Sequence, residues 1–247
     1  MITPILEGIA TYSTAISHIS KHRLWGFIFL PGLLSFLLAI IVISLSYGLS
    51  DNLGDVIDNL WKWDWGQSVV NKIAQVFGGL LILVMGALVF KQILLVVLAP
   101  FMSILSAKVE EQLTGNKENL NFSFGKAMSD ILRGLRLAIR NVIRELLATL
   151  LLFTIGLIPI FTPFTTIFIF LLQSYYAGFG NTDYALERHF NYRNSIKYVH
   201  QNRGVTLGNG IVFMLLFLSV VGFFLAVPLS TVAATLQTVK RVGGKVS

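Results

Sequence analysis

The stretch Ile73–Gly115 reads IAQVFGGLLILVMGALVFKQILLVVLAPFMSILSAKVEEQLTG. It begins as an apolar run, meets its first proline at Pro100 and ends polar. At about 1.5 Å of rise per residue, roughly twenty residues cross a bilayer core. A helix starting near Ile73 therefore completes its crossing near Gln92. Lys91 then falls at the far interface, where its stem carries the amine to the head groups; the alternative is a place in a conduction path. The helical pattern goes on, with Leu94, Leu98, Phe101, Leu105 and Val109 keeping one face for about four more turns. A helix that outruns the membrane needs partners beyond it. The expectation is a membrane helix with a protruding cytoplasmic arm, around which other segments pack. Gly78, Gly79 and Gly86 are expected to let helices approach closely.

The whole chain fits that setting. Its 247 residues are 55% hydrophobic and 13% charged, with a mean hydropathy of +0.74. Soluble domains carry about 25% charged residues. Half that share, with several long apolar runs, reads as an all-α integral membrane protein of one domain, residues 1–247. Cysteine is absent, which excludes disulfides, thiolate metal sites and a cysteine nucleophile. The four histidines include no HExxH motif, so neither a metal nor another cofactor is expected. Ser, His and Asp residues form no nucleophile motif, and catalysis is not expected.

The net charge of +7 is sorted by loop, which fits membrane topology better than nucleic-acid binding. Lys62 and Lys72 in segment 50–72 are outnumbered by Asp51, Asp55, Asp58 and Asp64, while every other polar segment is basic. The positive-inside rule then puts 50–72 outside and both termini in the cytoplasm.

In chain order, residues 1–24 read as an amphipathic interfacial helix with Ile5, Ile9, Tyr12 and Ile16 on one face. Lys21, His22 and Arg23 follow beside Trp25. Residues 25–49 form the first crossing, with Pro31 early in it. The loop 50–72 carries Trp61, Trp63 and Trp65, an aromatic belt or a stacking site. After the long helix 73–115, Gly115 is a helix stop and Ser123 a cap. Over 123–145, Lys126, Arg133, Arg136, Arg140 and Arg144 fall on a stripe about 80° wide, opposite Ile131, Leu135, Ala138, Val142 and Leu146. This basic stripe reads either as an anion vestibule or as a face for lipid head groups.

Residues 146–179 are interrupted by Gly156, Pro159 and Pro163. Two prolines four apart predict a turn. Each half is then about 13 residues, or roughly 20 Å, too short for a core of about 30 Å. With basic segments on both sides, the run reads as a helical hairpin that dips in and returns. Irregular backbone at membrane depth must be buried or face water, which makes Pro159 and Pro163 candidates for lining a pathway. Residues 205–236, with Gly222 midway, read as a second hairpin; the alternative is one full crossing.

Certain residues carry a resemblance. Ala99-Pro100-Phe101, Leu105-Ser106 and Glu111-Gln112-Leu113-Thr114-Gly115 resemble the cytoplasmic end of the long helix in the CysZ sulfate permease family, grouped with the eukaryotic etoposide-induced proteins. Leu30-Pro31, Ile158-Pro159, Asp183-Tyr184, Pro228 and Ala234-Thr235 extend it over nearly the whole chain. The resemblance implies two long transmembrane helices, two pairs of half-penetrating helices and a homo-oligomer in a bacterial inner membrane. It also implies uptake of sulfate without a nucleotide-binding partner, feeding cysteine synthesis. Those permeases carry a glycine, an apolar residue and two arginines before the first crossing. Aligned on Leu30-Pro31, this chain has Arg23-Leu24-Trp25-Gly26, and the arginine pair is replaced. Arg23 still supplies a charged donor for an oxyanion, with His22 and Lys21 beside it; its other reading is an interfacial anchor. The second functional expectation is a non-transporting protein that scaffolds or shapes the bilayer.

Overall fold

The computed structural model describes residues 2–29, 31–38, 40, 41, 44, 67–115, 124–219 and 222–243, with backbone alone along most of 67–92 and along 124–131. Every regular element among them is a helix: α1 (Ile2–Lys21), α2 (Gly26–Leu38), α3 (Gln67–Thr114), α4 (Phe124–Gly156), α5 (Thr162–Leu186), α6 (Tyr192–Gln201), α7 (Arg203–Leu218) and α8 (Gly222–Gly243). The loop 50–72 up to Gly66, the second half of the first crossing, the Ser123 cap and the end of the tail lie outside the described residues.

The long helix forms as its pattern demands. It starts at Gln67, six residues earlier than expected, and runs 48 residues with Pro100 inside it. At about 1.5 Å per residue it is roughly 72 Å long. Leu94, Leu98, Leu105 and Val109 are fully buried, as their spacing predicts, and Phe101 is half-buried. Gly115 takes φ +72°, and its N–H bonds the Glu111 carbonyl at 2.8 Å. That is the left-handed glycine stop.

At the centre lies α7, packed between α1 and α5 and backed by α8; α3 lies on α8, and α4 covers α5. Close approach at the centre depends on glycine. A methyl at Gly210 would overlap the Ser174 carbonyl, and one at Gly178 the Thr206 carbonyl. At the other crossing, a methyl at Gly8 would sit 2.5 Å from the Val205 oxygen. Gly86, by contrast, faces open space, while the surroundings of Gly78 and Gly79 lie outside the described residues; among the described glycines the closest backbone approaches between helices are on α1, α5 and α7. The buried stripe of α1 is Gly8, Tyr12, Ala15 and Ile19. Only Tyr12 belongs to the face expected from the isoleucines, because the small residues admit α7 and leave Ile16 exposed.

Helix α4 also turns differently from its expectation. The basic stripe and the first arm of the hairpin are one continuous helix of 33 residues. Its buried side chains are Leu137, Asn141, Glu145 and Thr149, while Leu132, Leu135, Ile139, Ile143, Leu147 and Leu151 point outward. Polar groups face the protein and apolar groups face away. Water would penalise that arrangement at about 25 cal/mol per Å² of apolar surface, whereas hydrocarbon does not. Together with two stretches among the described residues that are long and apolar enough to cross a bilayer, Ile93–Thr114 and Gly222–Gly243, it marks an all-helical membrane protein. These stretches differ from the two crossings expected at 25–49 and 73–92. The described part of the first is α2 alone, and most side chains of the second lie outside the described residues.

Both hairpin turns occur where glycine and proline place them. The first spans 157–161; α7 ends at Leu218 and α8 begins at Gly222. The arms are longer than 13 residues: α5 has 25, α7 16 and α8 22. A change from apolar to charged sequence is not a helix end when the charges are paired.

Candidate functional site

Among the described residues, charge gathers at the turn after α1, in a cleft beside α4, and in a set of ion pairs inside the bundle.

In the first, α1 ends in a two-bond cap. Leu24 N–H bonds the Ile19 carbonyl at 3.0 Å, and Arg23 N–H bonds the Ser20 carbonyl at 3.5 Å. Ile19 and Leu24 are both buried in the main core. This is a Schellman cap with its hydrophobic contact. Its left-handed position, where glycine is usual, holds Arg23 at φ 54°. An L side chain there costs about 1–2 kcal/mol relative to glycine. Arg23 and Lys21 are exposed, and His22 is half-buried. The His22 ring lies 4.4 Å from that of His18, whose Nε2 pairs with Gln112 Oε1 at 2.9 Å. Burial, with His22 and Lys21 nearby, holds the His18 pKa below its ordinary value despite the glutamine. The two histidines are one helical turn apart, but among the described residues no group of metal ligands forms. Chain order brings Lys21, His22 and Arg23 together, one turn ahead of the α2 start.

The arginine stripe divides in two. Arg133 donates to Asp183 at 2.8 and 3.2 Å and also to Ser195; its side chain is 11% exposed. Arg136 lies 4.8 Å over the Tyr192 ring. These two hold α4 to α5 and α6, and Arg133 is no longer a free cation for a vestibule. Arg140 and Arg144 instead line an open cleft of about 580 Å³, together with His200, Arg203, Tyr175 and Tyr176.

At the first hairpin, Pro159 and Pro163 are exposed, as are Ile158, Ile160, Phe161 and Phe164. The turn closes on itself in part: Phe161 N–H bonds the Ile158 carbonyl at 2.9 Å, and the Thr162 hydroxyl donates to the Gly156 carbonyl at 2.7 Å. Each backbone group bonded within the turn is one fewer that needs a partner at membrane depth.

The ion pairs were not foreseen. Lys91 does not reach out to an interface: it is 1% exposed and pairs with Glu145, which is fully buried. Arg188 donates to Glu110 at 2.8 Å and to Ser106 at 2.6 Å, while His189 meets Glu110 at 2.8 Å. Ser106 also bonds Thr235 at 2.8 Å, and Tyr184 donates to the Leu95 carbonyl at 2.8 Å. The signal available in the sequence was a polar residue every fourth position within an apolar helix, as in Asn141, Glu145 and Thr149. Such residues point inward in membrane proteins.

Segments that carry the resemblance thus meet one another: Ser106 bonds Thr235, and Tyr184 bonds the long helix α3. A family model described as sulfate transporter CysZ/etoposide-induced protein 2.4 matches residues 12–228. No individually curated protein matches.

Proposed function

The chain belongs to the family of the sulfate transporter CysZ and etoposide-induced protein 2.4, and from that premise we propose that it is a membrane permease for sulfate or a related small oxyanion. The observation that carries the proposal is Arg23. A turn that favours glycine keeps an arginine at a cost in stability, and backbone outliers of this kind accompany function. The Arg23 guanidinium supplies paired donors suited to an oxyanion. Lys21 and His22 add cationic and hydrogen-bonding capacity beside it, and α2 starts just after. The anion is received at this turn without a catalytic step.

The permease works in a bacterial inner membrane as a multi-pass homo-oligomer with both termini cytoplasmic. A contact between the two ends supports that topology: Arg241 near the end of α8 pairs with Glu7 near the start of α1 at 2.5 Å, and Gln237 donates to the Glu7 carbonyl at 2.8 Å. Both hairpins dip into the bilayer from the cytoplasmic side. The first presents its apolar tip to lipid or to a neighbouring copy.

Sulfate uptake into liposomes holding the purified protein tests the reading. Saturable uptake that Arg23→Ala abolishes is the expected result. No uptake by folded, inserted protein contradicts it. A second reading, a bilayer-shaping protein, is favoured by the apolar tip alone. Under it, charge reversal at Arg23 leaves the lipid interaction intact and no flux exists to lose.

A further inference from the structure

The cleft beside α4 has a chemistry that the transported anion does not account for. Its polar rim holds Arg140, Arg144, His200 and Arg203, drawn from α4, α6 and α7. Among the described residues no carboxylate lines it. Among the described residues none of the three arginines forms an ion pair, though Arg140 donates to Asn141 at 2.9 Å. Tyr175 and Tyr176 stand at the rim. Below them the wall is apolar: Leu152, Phe168, Leu171 and Leu172. Beyond that wall the exposed apolar surface continues along the hairpin through Leu151, Phe164 and Ile167. At about 580 Å³ the cleft has the volume of a site for a whole organic molecule. A bare oxyanion would leave most of it empty.

We propose that the cleft is a seat for an anionic glycerophospholipid of the surrounding bilayer. The phosphate lies among Arg140, Arg144 and Arg203, and one acyl chain follows the apolar wall toward the hairpin tip. Charge complementarity selects the head group: cations beside an anionic leaflet each contribute favourably, and arginine grips phosphate through paired donors. The continuity of the wall with the lipid-facing side of the hairpin selects a bilayer lipid over a soluble phosphate. Tyrosine belongs at such a boundary, with its ring in apolar surroundings and its hydroxyl among polar groups. The seat is separate from the Arg23 turn and stands whether or not the protein moves sulfate.

The test is native mass spectrometry of the full-length, delipidated protein in detergent, titrated in parallel with phosphatidylglycerol and phosphatidylcholine of matched chains. Phosphatidylglycerol is expected to be retained preferentially. That preference should fall about five-fold with either Arg144→Gln or Arg203→Gln and further with both. Arg193→Gln, at an exposed arginine outside the cleft, should leave it unchanged. Thermal unfolding in detergent confirms that each variant is folded; Arg203→Gln, at an exposed helix start, keeps the test open if Arg144→Gln is lost. Equal retention of the two lipids overturns the proposal, as does an unchanged preference in the double variant or an equal loss with Arg193→Gln. Displacement of the lipid by glycerol phosphate at equal concentration would also overturn it, since the site would then be one for soluble phosphate.

Discussion

The two hairpins differ in how their first arms, α7 and α4, are held. The α7–α8 hairpin is buried by shape. Gly8, Gly178, Gly208 and Gly210 let backbones touch, and α8 is buried along most of its length. The α4 arm of the other hairpin is held by charge. Lys91–Glu145 ties it to α3 and Arg133–Asp183 ties it to α5, while most of its apolar side chains face away. Without a hydrophobic force between helices in lipid, only close packing and polar contacts remain to join them. The arm α7 relies on the first and the arm α4 on the second, whereas α5 uses both: Gly178 meets the α7 backbone and Asp183 takes the Arg133 pair.

The largest expected effect attacks the charged hairpin. Glu145→Ala leaves Lys91 buried without its partner, and removing one member of a buried pair costs about 3–5 kcal/mol. Thermal unfolding in detergent should show this loss, and the double variant Lys91→Met/Glu145→Met should recover most of it. If the single and double variants melt alike, charge pairing is not what holds this hairpin.

A charge at the tip should come next. Ile160 is 73% exposed. If the tip sits in hydrocarbon, Ile160→Lys costs about 2.5–3.5 kcal/mol as measured by membrane insertion. An effect near zero would place the tip in water and remove the half-penetrating hairpin.

The glycine-packed hairpin has its own test. Gly210→Ala forces a methyl into the Ser174 carbonyl and should cost about 1–3 kcal/mol by overpacking. Gly134→Ala, in open space on α4, should be neutral or slightly stabilising. Equal effects would erase the contrast between α7 and α4.

That contrast explains what the sequence made legible. Apolar periodicity reports burial against protein or lipid alike, so it located α3 and the face Leu94, Leu98, Leu105 and Val109. On α4 it does not tell protein from lipid: most leucines and isoleucines face away, and Glu145 faces in. Lys91 was read as an interfacial cation because its partner lies 54 residues along the chain, and no local pattern links the two. The glycine pairs were missed for the same reason: a close crossing is a property of two helices. Arg23 was singled out by its neighbours in sequence, but its left-handed backbone emerges only from the cap that Ile19 and Leu24 close.

The smallest expected effect is at the end of α1. Because burial lowers the His18 pKa, the unfolded chain takes a proton more readily than the folded one. Stability should therefore be greatest above the ordinary histidine value of about 6.5. It should decline as pH falls below that value and level off below the lowered one. Melting scans from pH 8 to 5 should show a shallow slope that His18→Asn flattens. An unchanged slope would assign the pH dependence elsewhere.

One measurement addresses the central claim most directly: sulfate uptake and thermal unfolding of Arg23→Gly, side by side. Glycine relieves a left-handed cost of about 1–2 kcal/mol, so the variant should melt higher than the parent. It should nevertheless lose saturable sulfate uptake, because the guanidinium that receives the anion is gone. A variant that is stabilised and still transports at the parental rate would contradict the account, leaving Arg23 as an interfacial anchor and moving the anion site elsewhere.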